Sequence, residues 1–444
     1  MSQTKAQLLG PLVADNIDIE GDLNFDSGTL KVDPTNDRVG INKGANAPEK
    51  TLDVGGDVQL ADLYLTADYP TIRPTLDLAF AQTKQLDSRI TFTRSSTATY
   101  VDENGIIQTA AVNTPRFDHD PVTGESLGLL IEESRTNLVT YNEDFSQSVW
   151  TKQNGFSITS NTAIAPDGTL TADTASRVNL NSEYLYQNLN TPAGTYTLSC
   201  WIKSVNASSS FSIVSYSGVD GSQSSSFTAT NTWKRFSHTV TVSSPVTGFY
   251  PCIPSVSGEQ FYIWGAQVEA GSFPTSYIPT SGSTATRVVG STLITGASYD
   301  SFINSSEGTI LMEFISDGVV TTNSVVLSFD NGSNYPWAIY RFVNDNWKWY
   351  NGNDGIVVLK SGFSNSLYKF GISFDQTNGS SAESGSLTYS NVTALRMSTK
   401  YATSYRMGIG YNIPGGDYRF TGKISKLFYY PKRISDAQLQ TLTQ

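Results

Sequence analysis

The hydrophobic pattern along the chain is that of short β-strands separated by turns. Apolar residues alternate with polar ones, as at Ile17 and Ile19 or Leu52 and Val54, and Gly, Asn, Ser or Pro follows each short run. A period of two is typical of strands that bury one face. The chain is therefore predicted to be all-β, with a short N-terminal β-rich segment, a connector, and then two jelly-roll β-sandwiches.

The spacing of these runs divides the chain into four parts. They are an N-terminal virion-attachment or trimerisation segment (1–75), a connector (76–140), a jelly-roll (141–287) and a second sandwich (288–444). Strands of the first part are too short to bury a core within one chain, so we expect a homotrimer whose chains share a core. In the connector, LDLAFAQTKQLD predicts a short helix and Glu103-Asn104-Gly105 predicts a hairpin turn. Ser435 predicts the N-cap of a terminal helix.

The composition agrees with strands and argues against several functions. Charged residues make up 16% of the 444 residues, below the roughly 25% of average domains, and Ser, Thr, Asn and Gly replace them. A net charge of −11 argues against nucleic acid as a partner, because phosphate contacts need clustered Lys and Arg. No stretch approaches the roughly 20 apolar residues of a membrane helix, and the opening residues lack a secretory signal. We therefore expect synthesis in a cytoplasm and no membrane insertion.

Three passages resemble parts of tail proteins of bacteriophages, and a fourth resembles part of a lectin domain. LDLAFAQTKQLDSRITFTRSSTATYVDENGIIQTA, which opens residues 76–146, and WGAQVEAGSFPTSYIPTSGSTATR at 264–287 resemble a module that brackets a carbohydrate-binding-module-like jelly-roll. The N-terminal phrase TLKVDPTNDRVGIN resembles the start of phage fibre proteins. The ending FTGKISKLFYYPKRISDAQLQTLT resembles the closing strand and helix of a concanavalin-like (laminin-G-like) lectin sandwich.

The resemblance implies a structural virion protein, a tail fibre or receptor-binding subunit made in the host cytoplasm. Residues 1–75 would attach to tail or baseplate proteins, and the distal sandwiches would recognise a host cell-surface polysaccharide. Two alternatives stay open. One is a structural appendage, baseplate or decoration protein that binds no sugar, and the other is a polysaccharide depolymerase.

A glycan site is predicted in residues 330–355, where aromatic side chains lie among Asp and Asn. Sugars stack their CH faces on aromatic rings and bond their hydroxyls to polar groups. The candidate residues are Trp337, Tyr340, Trp347, Trp349, Tyr350, Asp330 and Asn331. In the strand WKWY, Trp347 and Trp349 share one face, and that face points either to the core or to a ligand. The jelly-roll offers four further aromatic contacts, which the sequence does not rank: Tyr184, Tyr186, Tyr216 and Tyr250.

The sequence offers little for catalysis or metal binding. His119 and His238 lie far from any G-x-S-x-G elbow, and the adjacent Glu132 and Glu133 would point oppositely in a strand, so no catalytic residue is predicted. Asp167, in the turn Ala-Pro-Asp-Gly, is either a ligand of a structural Ca²⁺ or part of a solvated turn. No other cofactor is expected.

The two cysteines, Cys200 and Cys252, both fall in the jelly-roll part. Two cysteines in a large chain made in a cytoplasm are more typical of buried thiols than of a disulfide framework.

Overall fold

A computed structural model gives the architecture of most of the chain. It describes the backbone of four strands before residue 65, and then residues 70, 72–177, 183–318, 323–330, 337–341, 346–351, 355–361, 366–396, 406–410 and 419–444. The side chains at 337, 351, 355 and 356 and those of the four N-terminal strands are not described. The chain divides into two compact units, Met1–Leu65 and Thr66–Gln444.

The N-terminal unit contains one four-stranded sheet. Its strands, in sheet order, are β1 (Leu23–Phe25), β2 (Leu30–Asp33), β3 (Arg38–Ile41) and β4 (Leu52–Val54). The first three are antiparallel neighbours, and β3 and β4 run parallel. Strands of three or four residues are as short as the sequence predicts. Assembly of three chains around this segment stays a prediction.

The connector forms more strands than its sequence suggests. Its elements are β5 (Leu76–Leu78), α1 (Phe80–Thr83), β6 (Thr91–Thr93), β7 (Ala98–Val101), β8 (Ile107–Ala110), β9 (Phe117–His119), β10 (Ser126–Ile131) and β11 (Arg135–Asn137). The predicted hairpin is confirmed, since β7 and β8 pair in register around a turn. Gly105 in that turn has a φ of 76°, which a side chain would strain.

The jelly-roll is a sandwich of two five-stranded antiparallel sheets. Its strands are β12 (Trp150–Gln153), β13 (Ser157–Ala163), β14 (Ala172–Ser176), β15 (Tyr184–Asn188), β16 (Gly194–Ser204), β17 (Ser208–Ser217), β18 (Gly221–Thr230), β19 (Lys234–Val242), β20 (Val246–Pro254) and β21 (Gln260–Ala270). One sheet has the order β12-β15-β20-β17-β18, and the other has β13-β14-β21-β16-β19.

Alternate apolar residues of both sheets fill the jelly-roll core. Leu198, Cys200 and Ile202 of β16 pack with Phe211 and Ile213 of β17, and all five are fully buried. Every second residue of these strands points outward, as the period-two pattern predicts. The two cysteines are buried free thiols, as predicted. Trp150 lies on the edge strand β12, but its side chain points inward. It is 1% exposed and packs in the core.

The C-terminal sandwich is built from two larger sheets. Strand β22 (Ala285–Arg287) precedes this sandwich and pairs with β11 in a separate two-stranded sheet. The strands of the sandwich itself are β23 (Ser291–Thr295), β24 (Glu307–Ser316), β25 (Ser324–Asp330), β26 (Trp337–Arg341), β27 (Trp347–Asn351), β28 (Gly355–Lys360), β29 (Leu367–Asp375), β30 (Gly379–Glu383), β31 (Ser386–Val392), β32 (Arg406–Ile409) and β33 (Gly422–Tyr430). The helices are α2 (Gly296–Asp300), a 3₁₀ turn (Thr393–Leu395) and α3 (Asp436–Leu442).

Connector strands complete both sheets of this sandwich. One sheet has the order β31-β30-β29-β24-β33-β10-β9, with β5 also beside β33, and the other has β28-β27-β26-β25-β32-β23-β6. Leu129 of β10 faces Ile424, and Asp77 of β5 faces Phe428, on the same edge of β33. The last strand is therefore internal to its sheet, and the connector strands β5, β6, β9 and β10 belong to the two sheets of this sandwich.

Helix α3 begins where the sequence places it. The Ser435 hydroxyl accepts a hydrogen bond from the Gln438 backbone N–H, and the Gln438 side chain accepts one from the Ser435 N–H. This capping box satisfies two N–H groups that a helix start would leave without partners. Leu439 anchors the helix on the sandwich and is fully buried. In the described part of the chain, no helix is long and apolar enough to cross a membrane.

A buried ion-pair network joins the two passages that flank the jelly-roll. Glu132 accepts hydrogen bonds from Arg116 (2.6 Å) and from the backbone and hydroxyl of Ser276 (2.6 and 2.7 Å), and Arg287 lies 3.3 Å away. Burial alone would raise the pKa of Glu132, but Arg287 and Arg116 outweigh it and hold that pKa well below its usual range. These contacts therefore join the first passage (76–146) to the second (264–287).

Candidate functional site

The two sheets of the jelly-roll differ in what covers their outer faces. In β16, Thr197 and Ser199 point away from the core, yet both are fully buried. Thr197 donates to the Gly271 carbonyl, and the Arg235 guanidinium donates both to Ser199 and to the Thr275 carbonyl. The segment that follows β21 therefore covers this sheet. In the other sheet, outward residues of β15 and β17 are partly or fully exposed, and Tyr216 has 42% of its surface accessible.

Four tyrosines lie together on the open face, and we call Tyr184, Tyr186, Tyr216 and Tyr250 the tyrosine face. The ring centroid of Tyr250 is 5.1 Å from that of Tyr186 and 5.9 Å from that of Tyr184, the second pair edge to face. Tyr184 and Tyr186 point outward because Leu185 between them is fully buried. The sequence names all four as contacts without ranking them, and the structure brings them together from three strands.

Gly248 makes room for two of these rings. A Cβ built on Gly248 would lie 3.0 Å from Cε2 of Tyr250 and 3.5 Å from Cβ of Tyr216. The Tyr250 ring therefore lies over Gly248, which is on the same strand. Tyr216 lies on the neighbouring strand β17 as the register partner of Gly248. A larger residue at 248 would push the rings apart.

Uncharged hydroxyl groups extend the tyrosine face toward the edge strand β18. Outward serine and threonine side chains pair across β17 and β18, with Ser212 and Ser226 hydroxyls 3.0 Å apart and Ser210 and Thr228 hydroxyls 3.3 Å apart. On the other side, Thr151 of β12 is the register partner of Tyr186. Hydroxyl groups both donate and accept hydrogen bonds, so this surface matches a hydroxylated ligand.

An open groove of about 600 Å³ begins beside the tyrosines. Thr151 and Asn188 lie on its wall, and Asn188 is on the same side of β15 as Tyr186. The other lining residues are Leu138, Thr140, Ser148, Val149, Gln187, Leu189, Asn190, Thr191, Pro192 and Thr284. None of the twelve is charged, so the groove combines apolar surface with amides and hydroxyls.

Electrostatically, the tyrosine face is close to neutral. Burial raises the pKa of Tyr250, and the neighbouring phenols of Tyr186, Tyr184 and Tyr216 raise it further, so the phenol stays protonated at neutral pH. Arg177 supplies a positive charge, with its guanidinium 5.2 Å from the centre of the Tyr184 ring. The same guanidinium donates to the Pro254 carbonyl, which fixes its position.

The tryptophans predicted for glycan stacking in the C-terminal sandwich lie in its core. Trp347 and Trp349 are 0% and 1% exposed, and Trp347 contacts the rings of Phe314 (4.8 Å), Tyr368 and Phe370. This is the core-facing one of the two orientations left open by the sequence. Neither ring is accessible to a sugar in this structure.

The remaining residues of that prediction are dispersed. Tyr340 is 9% exposed and packs with Val325 and Ala338, and Tyr350 lies partly buried against the same cluster. Asp330 is fully buried and accepts a hydrogen bond from the Arg406 side chain. The side chain of Trp337, Asn331 and the loops 331–336 and 342–345 lie outside the described residues. A site in these loops stays a prediction.

The titratable residues singled out in the sequence make structural contacts. His119 Nδ1 donates to the Val101 carbonyl at 2.9 Å, and His238 lies between the hydroxyls of Ser225 (2.9 Å) and Ser215 (3.4 Å). Asp167 accepts hydrogen bonds from the backbone and hydroxyl of Thr169. Among the described residues, no group of three His, Cys, Asp or Glu side chains is placed to hold a metal ion. Calcium at Asp167 stays a prediction.

No protein-family model and no curated protein matches the sequence. Among solved structures, the chain is similar to Trypanosoma rangeli sialidase in complex with the inhibitor DANA, at 17% identity over 35% of this chain and 26% of that chain (TM-score 0.29). It is also similar to the CBM40 of Ruminococcus gnavus IT-sialidase bound to alpha2,3 sialyllactose, at 13% identity over 32% of this chain and 83% of that chain (TM-score 0.28). The chain spans about a quarter of the sialidase it matches. These TM-scores are low, so the likenesses carry no argument about function.

Proposed function

We propose that this chain is a non-enzymatic glycan-binding protein and that the tyrosine face of the jelly-roll is its binding surface. The observation that carries the proposal is the cluster of Tyr184, Tyr186 and Tyr250, whose rings are partly exposed on the outer face of one sheet, while the outer face of the other sheet is covered. Monomeric proteins seldom leave aromatic clusters in water without a use. A sugar ring would place its CH face on these phenols and its hydroxyls near Thr151 and the serines of β17 and β18.

The neutral surface favours an uncharged or weakly charged polysaccharide. The chain has a net charge of −11, so long-range attraction to an anionic bacterial envelope would add little to the affinity. Stacking and hydrogen bonding at short range would provide it instead. Single contacts of this kind are weak, and several copies of the site would make the attachment firm.

The wider role that fits such a surface is a tail fibre subunit of a bacteriophage. The phage-like passages at 76–146 and 264–287 support this role, because they resemble a module of phage tail proteins that brackets such a jelly-roll and buried ion pairs join them here. In this proposal residues 1–75 attach to the tail and join three chains, and the sandwiches meet the host surface. The protein would then reside in the virion.

The proposal is tested by glycan binding of full-length protein and of single variants. The probes are bacterial surface polysaccharides and oligosaccharides immobilised on an array. We expect wild type to bind at least one, and Tyr186→Ala and Tyr250→Ala to lose about tenfold or more in affinity, because each removes a stacking ring. Tyr262→Ala is the matched control, since Tyr262 lies on the other sheet, where Lys203 stacks on it.

Two results would contradict the proposal. One is a wild-type protein that binds no glycan of the array while it still binds phage tails, which would favour a structural appendage. The other is equal loss of binding in Tyr186→Ala and Tyr262→Ala, which would place the site elsewhere. Release of reducing sugar from a bound polysaccharide would instead indicate a depolymerase.

A further inference from the structure

A second cavity, of about 340 Å³, lies where the connector, the jelly-roll and the C-terminal sandwich meet. The hairpin β7–β8 contributes Tyr100, and β9 contributes Asp118. The jelly-roll part contributes Trp201, Arg235 and Phe273. Asp317, Gly318 and Lys423 of the C-terminal sandwich close it. Its volume falls within the roughly 300–1,000 Å³ of small-molecule sites. The cavity is separate from the tyrosine face and shares no residue with it.

Hydrogen-bonding groups with spare capacity line this cavity. Asp118 is 9% exposed, and its Oδ1 accepts a hydrogen bond from the Val101 backbone N–H at 2.8 Å. Within the described part of the chain its other oxygen makes no hydrogen bond. Lys423 donates to Oδ2 of Asp317 at 2.7 Å, and an ammonium group has three protons to donate. A carboxylate oxygen and an ammonium group are therefore both available to one ligand.

Apolar rings form the rest of the wall. Trp201, Tyr100 and Phe273 are each partly exposed. The Trp201 ring is held in place, because the Arg235 guanidinium stacks 4.3 Å from its centre and the Tyr277 ring meets it edge to face at 5.5 Å. A rigid ring beside polar groups is the combination that orients a sugar.

The charges of the wall nearly balance. Asp118, Glu132 and Asp317 are acidic, and Lys423 and Arg235 are basic. The charge of Glu132 is already matched by Arg116 and Arg287 behind the wall. A strongly charged ligand would leave one of these groups without compensation in a desolvated place, at a large cost.

From this geometry we infer that the cavity binds a neutral, hydroxyl-rich ligand of the size of one sugar residue. Asp118 accepts a ligand hydroxyl, Lys423 donates to a ligand oxygen, and Trp201 or Tyr100 lies against the apolar side of the ring. The inference is independent of the proposed polysaccharide site, since either can exist without the other.

Saturation-transfer NMR of full-length protein with free monosaccharides tests the inference. The probes are glucose, galactose, mannose, rhamnose and N-acetylglucosamine, with anionic N-acetylneuraminate as comparator. We expect transfer to at least one neutral sugar in wild type, with about a tenfold or greater loss of affinity in Asp118→Asn, because an amide NH₂ group replaces the oxygen that would accept the ligand hydroxyl. Asp120→Asn is the matched control, since Asp120 lies two residues on in a surface turn, where it accepts from Val122 and Thr123.

Two further variants keep the outcome decisive. Tyr100→Ala removes a partly exposed part of the wall without touching a buried charge, and it should weaken binding even if Asp118→Asn fails to fold. The binding that Asp118→Asn abolishes should persist in Tyr186→Ala, which removes only a ring of the tyrosine face. Three results would overturn the inference. The first is no transfer to any neutral sugar, and the second is transfer only to N-acetylneuraminate. The third is transfer that Tyr186→Ala abolishes but that Asp118→Asn and Tyr100→Ala retain. The last result would assign the signal to the tyrosine face.

Discussion

The jelly-roll and the C-terminal sandwich each carry two aromatic residues at alternate positions of one strand. In β15 these are Tyr184 and Tyr186, which point to solvent, and in β27 they are Trp347 and Trp349, which point to the core. The residue between them has the opposite orientation in each case. Leu185 is fully buried, whereas Lys348 is only partly buried on the outer side.

The difference shows that an aromatic pair does not by itself mark a binding surface. A strand has two faces, and the core receives the face whose burial gains more free energy. A lysine between the tryptophans makes the tryptophan face the one to bury, because a buried ammonium without a partner is costly. A leucine between the tyrosines makes the leucine face the one to bury, which leaves the phenols outside. The intermediate residue is therefore the informative one.

The largest expected effect is on stability and falls on the tryptophans. Trp347→Ala should lower the free energy of unfolding of the C-terminal sandwich by about 3–5 kcal/mol, because it leaves a cavity among Phe314, Tyr368 and Phe370. Tyr186→Ala should change stability by about 1 kcal/mol or less, since its ring is partly in solvent. Calorimetry of the two variants measures both. Equal losses in the two strands would contradict the assignment of faces.

The intermediate residues should show the reverse ranking. Leu185→Ala is expected to destabilise the jelly-roll by about 2–5 kcal/mol, because Leu185 is fully buried in its core. Lys348→Ala should cost about 1 kcal/mol or less. Urea denaturation followed by circular dichroism compares them. A Lys348→Ala variant as unstable as Leu185→Ala would show that the lysine contributes more than a solvent-facing position explains.

The next effect concerns binding and separates the ring of Tyr250 from its hydroxyl. Tyr250→Ala should weaken glycan binding about tenfold or more, whereas Tyr250→Phe should weaken it about threefold, since the stacking ring remains and one hydrogen bond is lost. Titration of the best glycan from the array measures both affinities. If the two variants lose the same affinity, the hydroxyl rather than the ring makes the contact.

The smallest effect is a dependence on pH that only the jelly-roll should show. Burial lowers the pKa of His238, which bridges the sheets through Ser215 and Ser225. The folded state thus favours neutral imidazole, so this contribution to stability is complete above the ordinary pKa of about 6.5 and is lost as the pH falls below it. The melting temperature of wild type should drop relative to that of His238→Gln between neutral pH and about pH 5. Parallel curves for the two proteins would exclude the effect.

Local elements are the part of the fold that the sequence predicts well. The hairpin around Gly105 and the helix capped by Ser435 depend on residues close together in the chain, and both are confirmed. The connector is different. Its strands β5 and β10 pair with β33, some 300 residues away, and no local pattern states which distant strand completes a sheet edge.

The candidate site likewise has a part that the sequence predicts and a part that it does not. The sequence names the four tyrosines as contacts, but it places its main glycan prediction on Trp347, Trp349 and their neighbours. Leu185 and Lys348 carried the signal that distinguishes the two strands. The cavity around Asp118 left no signal, because its wall comes from three separate parts of the chain.

By itself, the sequence determined an all-β chain of short amphipathic strands, since backbone alternation and turn residues act over a few positions. Only the tertiary structure decided which aromatic faces are buried, that Tyr216 and Tyr250 lie beside Tyr184 and Tyr186, and that the segment after β21 covers one sheet and leaves the other open. These outcomes depend on which surfaces of the folded chain pack against each other and so remove apolar area from water. That is a property of the whole packed chain, because the free energy gained by burying one face depends on what is available to cover it.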